Sequence, residues 1–158
     1  MPGGISGGPL AADLLYAAAV TSGSGSIFSP LLAYAVAFRE TIRGELAGLW
    51  NAASVISGDG GYGLMQLTSS HPSDWIDPSA NVRYAIATFL YPAYDFWWGE
   101  MKFVGSDLVR GIAAEYNAGR GQALAGHAAG DLDTYTTDGY AADVLAQYTR
   151  LCAHLSPV

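Results

Sequence analysis

Three short segments carry side chains suited to acid–base chemistry and to contact with a ligand. Glu40 lies in Ala37-Phe38-Arg39-Glu40-Thr41, after a nearly uncharged run. A carboxyl at the end of an apolar stripe is partly desolvated, which favours its protonated form and suits it to donate a proton. The plainer reading is a solvated glutamate paired with Arg43, three residues on. The second segment is Gly60-Gly61-Tyr62-Gly63-Leu64-Met65-Gln66-Leu67. Its glycines let the backbone approach a ligand closely. Tyr62 offers an aromatic face, and the Gln66 amide both donates and accepts. Taken alone, this segment is equally a tight turn into a core strand. The third, Ala114-Glu115-Tyr116-Asn117-Ala118-Gly119, sets Tyr116 and Asn117 at a helix end, where side chains can face a cleft. Taken alone, it is an ordinary helix terminator.

These side chains need elements to hold them, and the periodicity predicts a mainly α chain. Ser29 followed by Pro30 reads as an N-cap and first helical position, opening a helix over 30–42. A shorter helix is expected over 10–20, with a loop over 21–26. The glycine-punctuated stretch 44–63 is expected to hold turns, with at most a small β region near 50–67. Asp77-Pro78 opens another helix, with Val82, Ala85, Ile86 and Phe89 on one side; Pro92 should kink or end it. Ser106 is placed to cap a helix running to Asn117 and stopped by Gly119. A short helix over 120–130 and a last one over 138–154 complete the chain. The expected architecture is a mainly α bundle with at most that small β region. It would form one domain over 10–158 after a loose, Gly- and Pro-rich stretch at 1–9. Tyr91, Tyr94, Phe96, Trp97 and Trp98 are expected to serve as core and cleft wall.

In order and spacing, four motifs resemble the lysozyme-like muramidase superfamily, meaning goose-type lysozymes and soluble lytic transglycosylases. They are Glu40-Thr41, Gly63-Leu64-Met65-Gln66, Tyr116-Asn117-Ala118-Gly119 and Tyr140. Ser57-Gly58-Asp59-Gly60-Gly61-Tyr62 and Gly139-Tyr140-Ala141-Ala142-Asp143-Val144 are especially like the goose-type branch. The resemblance covers residues 30–150. It departs from the family at Thr41, where Ser is usual, and at Glu115, where a small residue is usual. Glu115 then reads as a surface residue or as a second carboxylate near the cleft.

The resemblance implies an α+β lysozyme-like fold, a helical bundle around a central helix, and cleavage of the β-1,4 bond between N-acetylmuramic acid and N-acetylglucosamine, with Glu40 as general acid. Tyr62, Gly63, Met65, Gln66, Tyr116, Asn117 and Tyr140 would bind substrate. In a hydrolase, a second carboxylate holds the attacking water, and Asp59 is the candidate; the plainer reading of Asp59 is a turn residue, since Asp-Gly is a common turn pair. In a lytic transglycosylase the sugar's own 6-hydroxyl attacks, and Glu40 acts alone as acid and base. Two readings from other classes remain: a non-catalytic glycan-binding module, and a piece of a larger assembly with the 91–98 aromatics as its interface.

Bulk composition narrows partners. The chain has 158 residues, 51% hydrophobic and 13% charged, enough to bury a core. A net charge of −7 with seven scattered Lys and Arg leaves no basic footprint for nucleic acid. The same charge gives no long-range attraction to polyanionic walls, so short-range contacts must supply the affinity for peptidoglycan. Residues 14–38 carry no charge, but Thr21-Ser22-Gly23-Ser24-Gly25-Ser26 divides them into pieces too short to span a membrane. No basic residue precedes Arg39, so no ordinary export signal is expected. Holin-type release from the cytoplasm, as for a phage endolysin, or delivery by a phage or secretion machine are the routes that fit. With Cys152 alone, read as a core residue, there is no intrachain disulfide, and no Cys and His spacing suggests a metal. No cofactor is expected, and a monomer is.

Overall fold

A computed structural model describes residues 30–41, 54 and 56–155. The expected loose stretch at 1–9, the helix over 10–20, the loop over 21–26, the Ser29 cap and Arg43 lie outside the described residues. The chain divides into two compact units, 1–87 and 88–158. The protein is mainly α: among the described residues the only β pairing is two isolated antiparallel bridges, Ile56 with Tyr62 and Tyr62 with Leu67.

In the first unit, helix α1 spans Pro30–Glu40. Leu32, Ala33, Tyr34, Ala35, Val36 and Ala37 are all buried. Six consecutive positions cover more than a full turn, so α1 is enclosed on every side rather than along one stripe. The turns of 56–77 lead into helix α2, Pro78–Ala85. Its start is as expected: Asp77 is the N-cap and its carboxylate accepts from the Ser79 N–H at 3.2 Å. Asn81, Val82 and Ala85 are buried on α2, as is Ile86 beyond it.

The expected change at Pro92 takes a particular form. The helix leaves α geometry just before it, in a π turn over Ile86–Leu90, the turn that holds the Thr88 carbonyl to which Pro92 has no N–H to donate. A short helix α3, Tyr91–Tyr94, continues from that turn and includes Pro92. A second π turn follows over Asp95–Glu100.

In the second unit, helix α4 spans Gly105–Ala118, α5 spans Arg120–Ala128 and α6 spans Tyr140–Leu155. Helix α4 is central to this unit, touching α3, α5 and α6. Ser106 is not its cap; that position is Val104, which makes no side-chain cap bond. Gly119 does end α4, at φ 84°, with its N–H donating to the Glu115 carbonyl at 2.8 Å. The core is built on Trp97, fully buried, with Phe96 and Phe103 at ring distances of 5.3 and 5.0 Å. Gly111 of α4 lies against this indole: a Cβ there would come within 2.7 Å of it. Cys152 is half-buried on α6 rather than fully in the core.

The start of α6 is capped from a distance. The Asp133 carboxylate accepts from the Ala141 N–H at 2.7 Å, the Ala142 N–H at 2.9 Å and the Thr136 hydroxyl at 2.5 Å. Arg110 of α4 lies 3.5 Å from its other side and 2.7 Å from Asp131. Burial opposes the charge on Asp133 most strongly, but these donors and Arg110 together outweigh it and hold its pKa below the ordinary 3.8. A carboxyl depressed on folding contributes stability above its unfolded pKa and loses it as pH falls through the folded value. Asp133→Asn should therefore cost about 1–2 kcal/mol at pH 7, the worth of a good helix cap. In urea melts the gap between wild type and variant should shrink below pH 3.8. A gap independent of pH would show that the carboxylate's charge is not what matters.

Candidate functional site

Glu40 is the last residue of α1 and is half-buried. Its neighbour Thr41 is buried and fastens the end of that helix. The Thr41 N–H continues the helical ladder to the Ala37 carbonyl at 3.0 Å. Its hydroxyl donates to the Leu64 carbonyl at 2.8 Å, across 23 residues of chain. The first two motifs of the sequence thus meet through one side chain. A hydroxyl is what this position requires; Ser or Thr can supply it.

The turn that Thr41 reaches is rigidly specified. Tyr62 and Leu67 exchange both backbone bonds at 3.1 Å, and the Gln66 N–H closes the turn on the Gly63 carbonyl at 3.0 Å. Asn81, fully buried on α2, holds it from beneath. Its Oδ1 accepts from the Met65 N–H at 2.8 Å. Its Nδ2 donates to the carbonyls of Tyr62 and Trp75, both at 3.0 Å. Gly63 has φ 71°, and a Cβ there would lie 2.9 Å from the Trp75 carbonyl and closer still to the Asn81 amide. Both the backbone angle and the space therefore require glycine.

Within this turn the expected ligand residues divide. Gln66 is half-buried, with φ 49°, and its amide donates to the Gly63 carbonyl at 3.0 Å. Tyr62 is half-buried, but His71 stacks on its ring at 4.1 Å and Trp75 meets it edge-on at 5.1 Å. One face of Tyr62 at most is left for a sugar. Met65 is fully buried, so its side chain packs the interior and offers no ligand surface.

Asp59 is exposed on the preceding turn. The Ser57 hydroxyl donates to its carboxylate, and Ser57 Oγ accepts in turn from the Gly61 N–H at 3.0 Å. The Ser57 bond is the main cause of a pKa held below the ordinary carboxylate value. An ionised carboxylate fits a base and not an acid. The same bonds also make Asp59 a conventional turn residue, so its two readings coexist in one geometry.

Tyr116, Asn117 and Tyr140 belong to the second unit. Tyr116 is half-buried, edge-on to Phe89 at 6.2 Å. Asn117 Oδ1 accepts from the Thr137 N–H at 2.8 Å, tying the end of α4 to the loop before α6. Tyr140, first residue of α6, is buried. Glu115 is neither a solvated surface group nor an open carboxylate. Its side chain is 13% exposed, accepts from the Trp97 indole at 2.9 Å and pairs with Arg120 at 2.9 Å. Arg120 also lies over the Phe96 ring at 4.3 Å. Glu115 thus satisfies the one polar group of the buried Trp97.

Asn81, Asp133 and Ser57 organise these segments, and the sequence drew attention to none of them in that role. The one available signal was an Asn beside the buried face of a helix. Among the described residues no group of His, Cys, Asp or Glu could hold a metal ion, and no helix is long and apolar enough to cross a membrane. No family model matches the chain, and a search of the curated proteins finds no match.

Proposed function

We propose that the protein cleaves peptidoglycan at the β-1,4 bond following N-acetylmuramic acid, as goose-type lysozymes and lytic transglycosylases do. The observation that carries this reading is the Thr41 hydroxyl on the Leu64 carbonyl. It couples the helix ending in Glu40 to the Gly63–Gln66 turn, the two segments that the family resemblance makes functional. Glu40 would protonate the glycosidic oxygen, and the leaving sugar departs as an oxocarbenium-like centre develops. Gln66 and the face of Tyr62 that His71 leaves would contact the glycan. Met65 and Tyr140 would act through packing. The partner is the glycan strand of a bacterial wall. Release through a holin or carriage by a phage or secretion machine would bring a monomeric enzyme to it.

The fate of the centre divides the reading. Asp59, ionised, would activate a water and give a reducing muramic acid. The second course needs no such carboxylate. There Glu40 acts alone, and the 6-hydroxyl closes a 1,6-anhydro ring. Digestion of purified peptidoglycan with products weighed decides. A hydrolase gives disaccharide units one water heavier than a transglycosylase does. Asp59→Asn should stop the first reaction and spare the second. No products from folded protein would overturn both and leave the binding-module reading.

A further inference from the structure

Ser57 is engaged at every polar atom it has. Its N–H donates to the Gly61 carbonyl at 2.9 Å, and its carbonyl accepts from the Gly60 N–H at 3.0 Å. Its Oγ accepts from the Gly61 N–H at 3.0 Å. A hydroxyl carries one proton, and filling an Oγ lone pair in this way restricts where that proton can turn. It goes to the Asp59 carboxylate, to which Ser57 donates. Ser57 is half-buried and Asp59 is exposed, so a fixed hydroxyl holds a carboxylate that water reaches. Gly61, between them and the next turn, is buried and is not among the glycines of positive φ. Its backbone angle does not require glycine, but its surroundings do. A Cβ there would lie 2.8 Å from Ser57 Oγ and closer still to Gln66 Oε1. The hydroxyl that holds Asp59 and the amide of Gln66 thus converge on one point.

We propose that Ser57 is a positioning residue for hydrolysis, holding the Asp59 carboxylate as the base that takes a proton from the attacking water. The assignment rests on the hydrolytic course, in which Asp59 is that base. Glu40 gives its proton to the leaving oxygen, the water oxygen bonds to the anomeric carbon, and the proton the water sheds goes to Asp59. Ser57 need touch neither sugar nor water in this step. It acts through Asp59 in two ways. It ties down one carboxylate oxygen, which limits the rotamers of an otherwise exposed side chain, and a base works only when aligned. It also favours the ionised form, outweighing burial, with smaller help from the backbone of Gly61 and Asp59. The contact at Gly61 gives the arrangement a reason beyond the shape of a turn. A turn that needed only its shape would ask an unusual angle of its glycine. This one asks for space, and the space is filled by the anchor of Asp59 and by Gln66, the amide read as facing the glycan.

The test reads Asp59 directly as well as through activity. Carboxyl NMR titration of Asp59 is run on wild type, Ser57→Ala, Ser57→Thr and Ser57→Cys, with circular dichroism as the check on folding. The same proteins, with Asp59→Asn, digest soluble uncrosslinked peptidoglycan strands, and kcat, KM and product masses are recorded across pH. Ser57→Ala should move the Asp59 midpoint up toward 3.8 and carry the acid limb of kcat with it. It should lower kcat for the reducing product by about tenfold, the order expected for a lost hydrogen bond to a charged group, and leave KM unchanged. Ser57→Thr, which keeps the hydroxyl, should restore both. Ser57→Cys, close in shape but a weak donor, should repeat the loss. Reducing products that Asp59→Asn abolishes, but that Ser57→Ala and Ser57→Cys form at the wild-type rate, overturn the assignment and leave Asp59 as the base. A midpoint that moves while kcat does not makes the bond a feature of the turn alone, and overturns it too. A wild type whose products do not depend on Asp59, or that gives none, removes the hydrolytic course and the assignment with it.

Discussion

Glu40→Gln should abolish the clearing of a peptidoglycan suspension, lowering the rate by about 10²–10⁴, the usual contribution of a general acid. The substitution preserves size and hydrogen-bonding capacity but removes the transferable proton. Its melting temperature should stay near that of wild type. Two features already described make the position suitable for an acid. Glu40 closes α1, where the helix presents the negative end of its dipole, an unfavourable place for a second negative charge. Its helix end is also fixed by Thr41 against the Leu64 carbonyl, so the carboxyl is presented from a firm base. Clearing by the variant at the wild-type rate, with wild-type products, would remove Glu40 from the mechanism.

Asn81→Ala should be the most damaging single change to the first unit. It leaves the Met65 N–H and the carbonyls of Tyr62 and Trp75 without the partner they have now. A buried group stripped of its partner costs about 1–3 kcal/mol. With three affected, and some relaxation, a loss of about 3–5 kcal/mol in urea denaturation is expected. Asn81→Asp keeps the shape and can still accept from Met65, but it sets a carboxylate against two carbonyl oxygens. It should therefore also destabilise, and less so in acid, where the carboxyl can donate. A loss below about 1 kcal/mol for Asn81→Ala would mean that water replaces the amide, and that the turn does not depend on it.

What the sequence made legible follows from how local each signal is. The Asp77-Pro78 start, the Gly119 stop and the approximate span of α6 are set by backbone chemistry within a few residues, and the structure has them. Ser106 misled because a good capping residue two places too late is indistinguishable from one in register. Pro92 marked where the α geometry is lost but not the form of the change, a π turn in the residues before it, at Ile86–Leu90. The site divides in the same way. Glu40, Gly63 and Gln66 are named by their motifs, but the bonds that join them run through Thr41, across 23 residues, and Asn81, across 16. Pairings at that separation leave no periodic trace. Glu115 shows the converse: the sequence leaves it as a surface residue or a second cleft carboxylate, and its partners in space are a buried indole and an arginine.

The remote cap of α6 bears on the order in which the chain folds. Most helices carry their start signal in the residue just before them, so a nascent helix can begin while the rest is unformed. Here the acceptor for the Ala141 and Ala142 amides sits eight and nine residues upstream. It reaches them only once the 131–139 loop has closed and Arg110 has drawn Asp131 and Asp133 to α4. The first turn of α6, and Tyr140 with it, is therefore expected to form late. It must wait for the loop-closure entropy to be overcome and for α4 to exist. Excised as a peptide, residues 140–155 would begin frayed at the end where Tyr140 stands.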